Sequence, residues 1–214
     1  SFVQKEGITY DAVHAHYYLS GLAAISIGQP FVMSFHTLGL MKNLVARDTN
    51  EKESEFRIQS ERLLIEKSNH VIATSQADRE YLINLYNCPD YRVTVITPGV
   101  DLDVFKPLSK ITAKKTINAK NKKINLCVGR IEPLKGFDVL LYAIKILQKK
   151  HPKLARDIEV WIVGGDISQD QSLWSRELKN LEQLRFTLGI SDVVRFVGQQ
   201  PQHKLSSYYS AAEV

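Results

Sequence analysis

Val128-Gly129-Arg130-Ile131-Glu132-Pro133-Leu134-Lys135-Gly136 sets two fixed cations on a tight turn between a predicted buried strand and a predicted helix. The strand follows from the apolar run Ile124 to Val128. The helix follows from Phe137, Leu140, Leu141, Ile144 and Leu147, which share one face at helical spacing. Gly136 lets the backbone come close to a ligand, and the first free amides of the helix face the same crevice as Arg130 and Lys135. An oxygen-rich dianion fits such a place. Neither a Gly-x-Gly-x-x-Gly run nor a Gly-Lys-Ser/Thr ending occurs in the chain, so dinucleotide and P-loop readings drop. Read from the turn alone, Arg130 and Lys135 are either a phosphate cradle or solvated loop charges.

Outward from this turn the chain reads as two α/β halves, joined by a basic, polar stretch from Lys106 to Lys123 that is expected to bury almost nothing and to act as a linker. The predicted domains are therefore 1–105 and 124–214, with 106–123 between them. Upstream, apolar runs at Ala12 to Ala15, Phe31 to Phe35, His70 to Ala73 and Val93 to Ile96 alternate with helical stretches near Leu19 to Ile27, Glu51 to Lys67 and Gln76 to Tyr86. Downstream, strands at Ile124 to Val128, Glu159 to Val163 and Val193 to Val197 alternate with helices near Phe137 to Lys150 and Leu173 to Leu188. This alternation predicts parallel sheets. No internal repeat or low-complexity tract interrupts it.

Composition agrees with a soluble enzyme: 214 residues, 44% hydrophobic and 24% charged, with no apolar run long enough to span a bilayer and no secretory leader at the first residue. A cytoplasmic setting is the default expectation. Cys88 and Cys127 form neither a disulfide framework nor a metal cluster by spacing. The net charge of +5 favours anionic partners. Arginine-rich and aromatic-interleaved nucleic-acid signatures are missing, so phosphorylated metabolites are expected and nucleic acid is not. His14 and His16, two apart, would point to one face of a strand, a spacing open to zinc. No further Cys or carboxylate sits at a matching ligand spacing, so no metal is expected.

Seven pieces of the chain, taken in order, resemble the retaining family-4 glycosyltransferases: DAVHAHYYLSG, SFHTLGLMKN, NHVIATSQAD, VITPGVDLDVFKP, VGRIEPLKGFDVLL, VWIVGGD and VVRFVGQQPQHKLSSYYSAAEV. The resemblance runs from Asp11 to Val214 and is greatest toward the subgroup of sucrose-phosphate synthases and inositol-phosphate glycosyltransferases. It implies a GT-B fold, two Rossmann-like domains whose parallel sheets face each other across a cleft. It implies transfer of a hexosyl unit, with retention, from a nucleotide diphosphate sugar, UDP-linked, to an acceptor hydroxyl on a phosphorylated sugar or polyol. No cofactor or metal ion is implied.

The same resemblance assigns site residues. His36 would contact the transferred hexose near its reacting carbon and steady the positive charge that grows there; the bland alternative is a satisfied histidine at a strand end. His16 would line the cleft, with His14 structural. Tyr17, Thr37 and Arg57 would hold the acceptor's phosphate, since a guanidinium fork gives parallel charge-assisted bonds to phosphate oxygens. Arg57 could equally be a surface helix charge paired with Glu53 or Glu61, and Lys42 reads as a solvated helix charge. Arg130 and Lys135 would absorb the charge of the departing nucleotide diphosphate. Gly99, in the Thr97-Pro98-Gly99 turn that ends the first half, Gly129, and Gly164 after EVWIVGG would bring backbone close to the donor. A simple strand-ending turn also explains Gly164 and Gly165. Val197 and Gly198 would meet the nucleobase.

Both ends are expected to be cut, because the family opens with an earlier strand and glycine-rich loop and continues past SAAEV to a pair of glutamates that grip the donor. A fragment of a longer enzyme, inactive by itself, is the expectation. Two other readings stay open: a GT-B epimerase or phosphorylase relative, and a non-catalytic module that binds a sugar nucleotide or phosphate.

Overall fold

The computed structural model describes residues 5, 7, 10–120, 122–168 and 170–214. The chain divides into two compact units, Ser1–Gly99 and Val100–Val214.

In the first unit, four strands, β1 (Val13–His16), β2 (Phe31–Ser34), β3 (His70–Ala73) and β4 (Val93–Val95), form a sheet in the order β1-β2-β3-β4. Every pairing is parallel, with Val13 opposite Phe31, Val32 opposite His70 and Val71 opposite Val93. Parallel neighbours need crossovers. These are supplied by α1 (Tyr17–Ile27), by α2 (Gly39–Leu44) with α3 (Glu55–Lys67), and by α4 (Gln76–Tyr86). Met33, Leu64, Val71 and Leu82 form the centre of the core. The helix starts follow the sequence chemistry. The Ser54 hydroxyl accepts from the amide of Arg57 to open α3, and Ser75 accepts from that of Asp78 to open α4. The predicted helix from Glu51 is thereby broken: a 3-10 turn at Thr49–Glu51, capped by Asp48, comes first.

In the second unit β5 (Lys123–Val128), β6 (Ile158–Val163) and β7 (Val194–Phe196) run parallel in that order. Strand alternation distributes side chains to two cores. Val160 and Ile162 meet Leu141 and Ile144 of α6 (Phe137–Lys150) on one face. Trp161 and Val163 meet Ala113 and Tyr208 on the other.

The second face corrects the linker expectation. Residues 110–116 fold as α5 (Lys110–Thr116), capped by Ser109, and Ala113 is fully buried among Ile124, Trp161 and Ala211. Ser210 of α9 (Gln202–Ala211) accepts a hydrogen bond from the amide of Leu108 at 3.0 Å. α5 carries three lysines, but Ala113 and its C-cap Ile117 share the face toward the sheet, and a stripe this short gives no legible period. The last residues lie against β5: the Glu213 amide donates to Ile124 O at 2.8 Å, and Leu126 donates to Val214 O at 2.7 Å. Between α6 and β7 the chain also forms α7 (Pro152–Arg156) and α8 (Arg176–Thr187). No helix among the described residues is long and apolar enough to cross a membrane.

Candidate functional site

In an open parallel sheet, ligands bind beyond the carboxyl ends of the strands, and the side chains singled out from the sequence sit there in each unit.

In the first unit β1 ends at His16 and β2 ends at Ser34. The residues just beyond them, Tyr17 (φ 70°) and His36 (φ 61°), both occupy the left-handed region. A non-glycine residue there carries strain of about 1–3 kcal/mol, which a fold keeps where surrounding contacts over-determine the position. His16 Nδ1 and His36 Nε2 share a hydrogen bond of 2.8 Å, and their rings stack at 5.1 Å. The turn that strains His36 thus brings its ring onto His16. Behind them His14 Nε2 bonds Ser34 Oγ at 2.9 Å. His14 is itself exposed, and partial desolvation first, then the neighbouring His16 and His36, push its imidazole below its ordinary value. No group of three or more His, Cys, Asp or Glu among the described residues is placed to hold a metal.

Thr37 follows His36 and is gripped by Arg57 from α3. Arg57 Nη2 donates to Thr37 O at 2.9 Å and to Thr37 Oγ1 at 3.0 Å. Its Nε donates to Glu61 Oε1 at 2.8 Å, and its Nη1 meets Glu53 Oε1 at 3.0 Å. The guanidinium carbon lies 5.0 Å from the Tyr17 ring centroid, within cation–π range. Arg57 is 2% exposed, so it is no surface charge, and it pairs with both glutamates. Burial works against its charge, but Glu61 and Glu53 outweigh that and keep the guanidinium protonated. Lys42 is corrected as well: it is not simply solvated, since its ammonium group bonds Glu53.

Glu61 anchors this cluster from inside. It is 0% exposed, accepts from the Gly39 amide at 2.9 Å, from Arg57, and from the Tyr86 hydroxyl. Tyr86 in turn accepts from the Leu40 amide at 2.9 Å. Burial, together with the bond to Glu61, raises the Tyr86 hydroxyl well above its ordinary value. The buried charge of Arg57 is therefore paired and hydrogen-bonded on every nitrogen, the condition under which such a group is tolerated.

In the second unit Gly129, Gly164 and Val197-Gly198 directly follow β5, β6 and β7. The Gly129 amide donates to Val163 O, and the Gly164 amide donates to Gly198 O, each at 3.0 Å. At Gly164 (φ 148°) a Cβ would fall 1.9 Å from Gly129 O, so the close approach there is between neighbouring strand ends. Val197 and Gly198 line a cleft of about 540 Å³ with Asp166, Ile167 and Gln199. Within the turn expected from the sequence to take a phosphate, Pro133–Lys135 form a 3-10 turn, and Gly136 (φ 66°) then redirects the chain into α6. Arg130 and Lys135 are both exposed. Arg130 Nη1 meets Glu132 Oε1 at 3.0 Å, but with 77% of its side chain exposed the pair is loosely held. Gly99 lies at the end of the first unit, exposed, with open space around its Cα.

Two family models cover the chain in succession: Glycosyltransferase Family 4 over residues 2–104 and Glycosyl transferases group 1 over residues 109–214. The chain belongs to the glycosyltransferases, its first half matching the family 4 model and its second half the group 1 model. A D-inositol 3-phosphate glycosyltransferase of Thermobispora bispora is 35% identical over 210 residues, which is 96% of this chain and 48% of that relative. Sucrose-phosphate synthase from Thermosynechococcus elongatus superposes with a TM-score of 0.81 at 27% identity, over 99% of this chain and 50% of that one. The Anabaena protein HepE, solved in complex with UDP-glucose, shares the fold with a TM-score of 0.71 at 20% identity, over 95% of this chain and 52% of its own. This glycosyltransferase chain thus has the GT-B fold and spans about half the length of the curated relatives it matches.

Glu53, Glu61 and Tyr86 were not singled out from the sequence as site residues. A signal for Glu61 existed in α3, where it shares with Arg57 the buried stripe of Ile58, Leu64 and Ile65, whereas Glu53 precedes that helix. Tyr86 reaches the cluster from α4, and no local pattern marks such a contact.

Proposed function

We propose that the complete glycosyltransferase moves a hexosyl unit from a UDP-linked sugar to a hydroxyl of a phosphorylated sugar or polyol, with retention, in the cytoplasm and without a metal ion or other cofactor. One observation carries this reading: the turn after β2, which sets His36 beside His16, is held through Thr37 by a buried arginine whose fork is shared between protein oxygens. A guanidinium that grips the turn carrying His36 suits an acceptor bearing an anion next to the hydroxyl that reacts, once one of its protein partners, Glu53 on the outer nitrogen, gives way to that anion. Relatives about a third identical are named for an inositol phosphate acceptor, which supports the same class here.

In this reading Tyr17, Thr37 and Arg57 hold the acceptor's phosphate, and His16 orients His36 through their shared bond. His36 faces the sugar, where its Nδ1 edge or backbone carbonyl steadies the growing positive charge. On the donor side, bond cleavage gathers negative charge on the departing diphosphate. Arg130, Lys135 and the first amides of α6 stabilise that charge more in the transition state than in the ground state. The cleft formed by Val197 and Gly198 takes the uracil, and the Gly129 and Gly164 strand ends and the Gly99 turn border the donor.

Incubating the complete protein with a panel of nucleotide sugars and acceptors, phosphorylated and not, tests this. Product is expected from UDP-hexose with phosphorylated acceptors, with the donor's anomeric configuration kept. Donor consumed without transfer, or turnover indifferent to the acceptor's phosphate, contradicts it.

A further inference from the structure

The acceptor reading leaves Glu53 without a role. Its carboxylate is bonded by two basic groups, Arg57 Nη1 of the candidate site and Lys42 Nζ beside it. It is not sealed in as Glu61 is: the side chain of Glu53 is 21% exposed, against 1% for Glu61 and 3% for Arg57. The residue is tethered just before the Ser54 cap of α3, where its amide donates to Asn43 Oδ1 at 2.7 Å. The fork of Arg57 is therefore divided. Nε faces the inner carboxylate, Nη2 faces Thr37, and the outer Nη1 faces a carboxylate that borders solvent.

A carboxylate and a phosphoryl group offer a guanidinium the same pair of oxygens. We propose that Glu53 is an internal competitor for the acceptor's phosphate, occupying Arg57 Nη1 and Lys42 Nζ until a dianion displaces it, and that it thereby sets specificity for phosphorylated acceptors. This rests on the acceptor reading above. The charge balance supports it: Lys42 and Arg57 face Glu53 and Glu61, two cations against two carboxylates, so a neutral acceptor gains nothing by entering. A free monoanion must displace a carboxylate that is already tethered at high effective concentration. A phosphate dianion brings more charge than the group it removes, so it alone gains by the exchange. Burial tends to raise the Glu53 carboxyl, yet Lys42 and Arg57 outweigh it and hold it below its ordinary value, so the competitor stays charged at neutral pH.

The test uses the complete protein with saturating UDP to fill the donor side and titrates inorganic phosphate by calorimetry. Glu53→Gln, which keeps the shape and removes the charge, is expected to bind phosphate about fivefold more tightly or better. It should also lower the KM of the phosphorylated acceptor by a similar factor, leave the donor KM unchanged, and admit unphosphorylated acceptor at a higher rate than wild type. Glu53→Asp, too short to reach both cations, shifts phosphate affinity in the same direction and decides the matter should the Gln variant not fold. Wild type that binds phosphate, with neither variant binding it more tightly, overturns the competition. Wild type that binds no phosphate in the presence of UDP overturns the acceptor reading itself.

Discussion

Arg57 shows how far a single side chain departs from its local appearance. On the sequence it is a helix charge with glutamates four residues either side; in the fold it is buried, with Glu61, Glu53 and Thr37 on its three nitrogens. Replacing it with lysine keeps the charge and loses the fork. The KM of a phosphorylated acceptor is expected to rise about tenfold with the donor KM unchanged, and an equal rise in both would show that the site as a whole has been disturbed. The imidazole of His14 gives a second reading at this scale. Because its value in the fold is lowered from 6.5, the unfolded chain takes a proton first as pH falls. The stability it contributes is full above 6.5 and is lost as pH drops through the lower folded value. Its NMR titration midpoint should lie below that of a free histidine and move upward in His16→Gln, which removes one of the causes; a midpoint at the ordinary value contradicts the packing described.

Among elements, α3 and the strand ends of the second unit carry the most information. Tyr86→Phe removes a donor to Glu61 and the acceptor of the Leu40 amide, and is expected to cost about 1–3 kcal/mol in urea unfolding at unchanged m. A loss under about 0.5 kcal/mol would place the hydroxyl outside the network. Gly164→Ala drives a Cβ into Gly129 O and should destabilise the second unit by at least about 2 kcal/mol, measured by the same method. The strands were legible because they are short apolar runs between turn residues, and the observed ranges differ from the expected ones by at most a residue at either end. α5 was not legible, since a seven-residue helix that carries three lysines has only Ala113 on its buried face, with Ile117 at its C-cap. The buried stripe of α3 was legible in spacing, but its charges masked its burial. The contact from Tyr86 depends on how α4 lies against α3, which no local pattern encodes.

At the scale of the molecule, two parallel-sheet units repeat one arrangement, with most of the candidate site residues on the turns that leave the strands. The family assignment was readable from seven ordered pieces, because each couples an apolar strand to a polar turn whose residues are set by chemistry more than by packing. In the proposed reading, the histidine pair and buried arginine of the first unit serve an acceptor, and the exposed cations of the second serve a departing anion. The most direct test of the account is turnover in the complete protein carrying Arg130→Ala and Lys135→Ala together. Removing one donor of transition-state charge costs about 10²–10³ in kcat, so the double variant is expected to lose at least that much with its fold and acceptor binding intact. Turnover equal to wild type would contradict it.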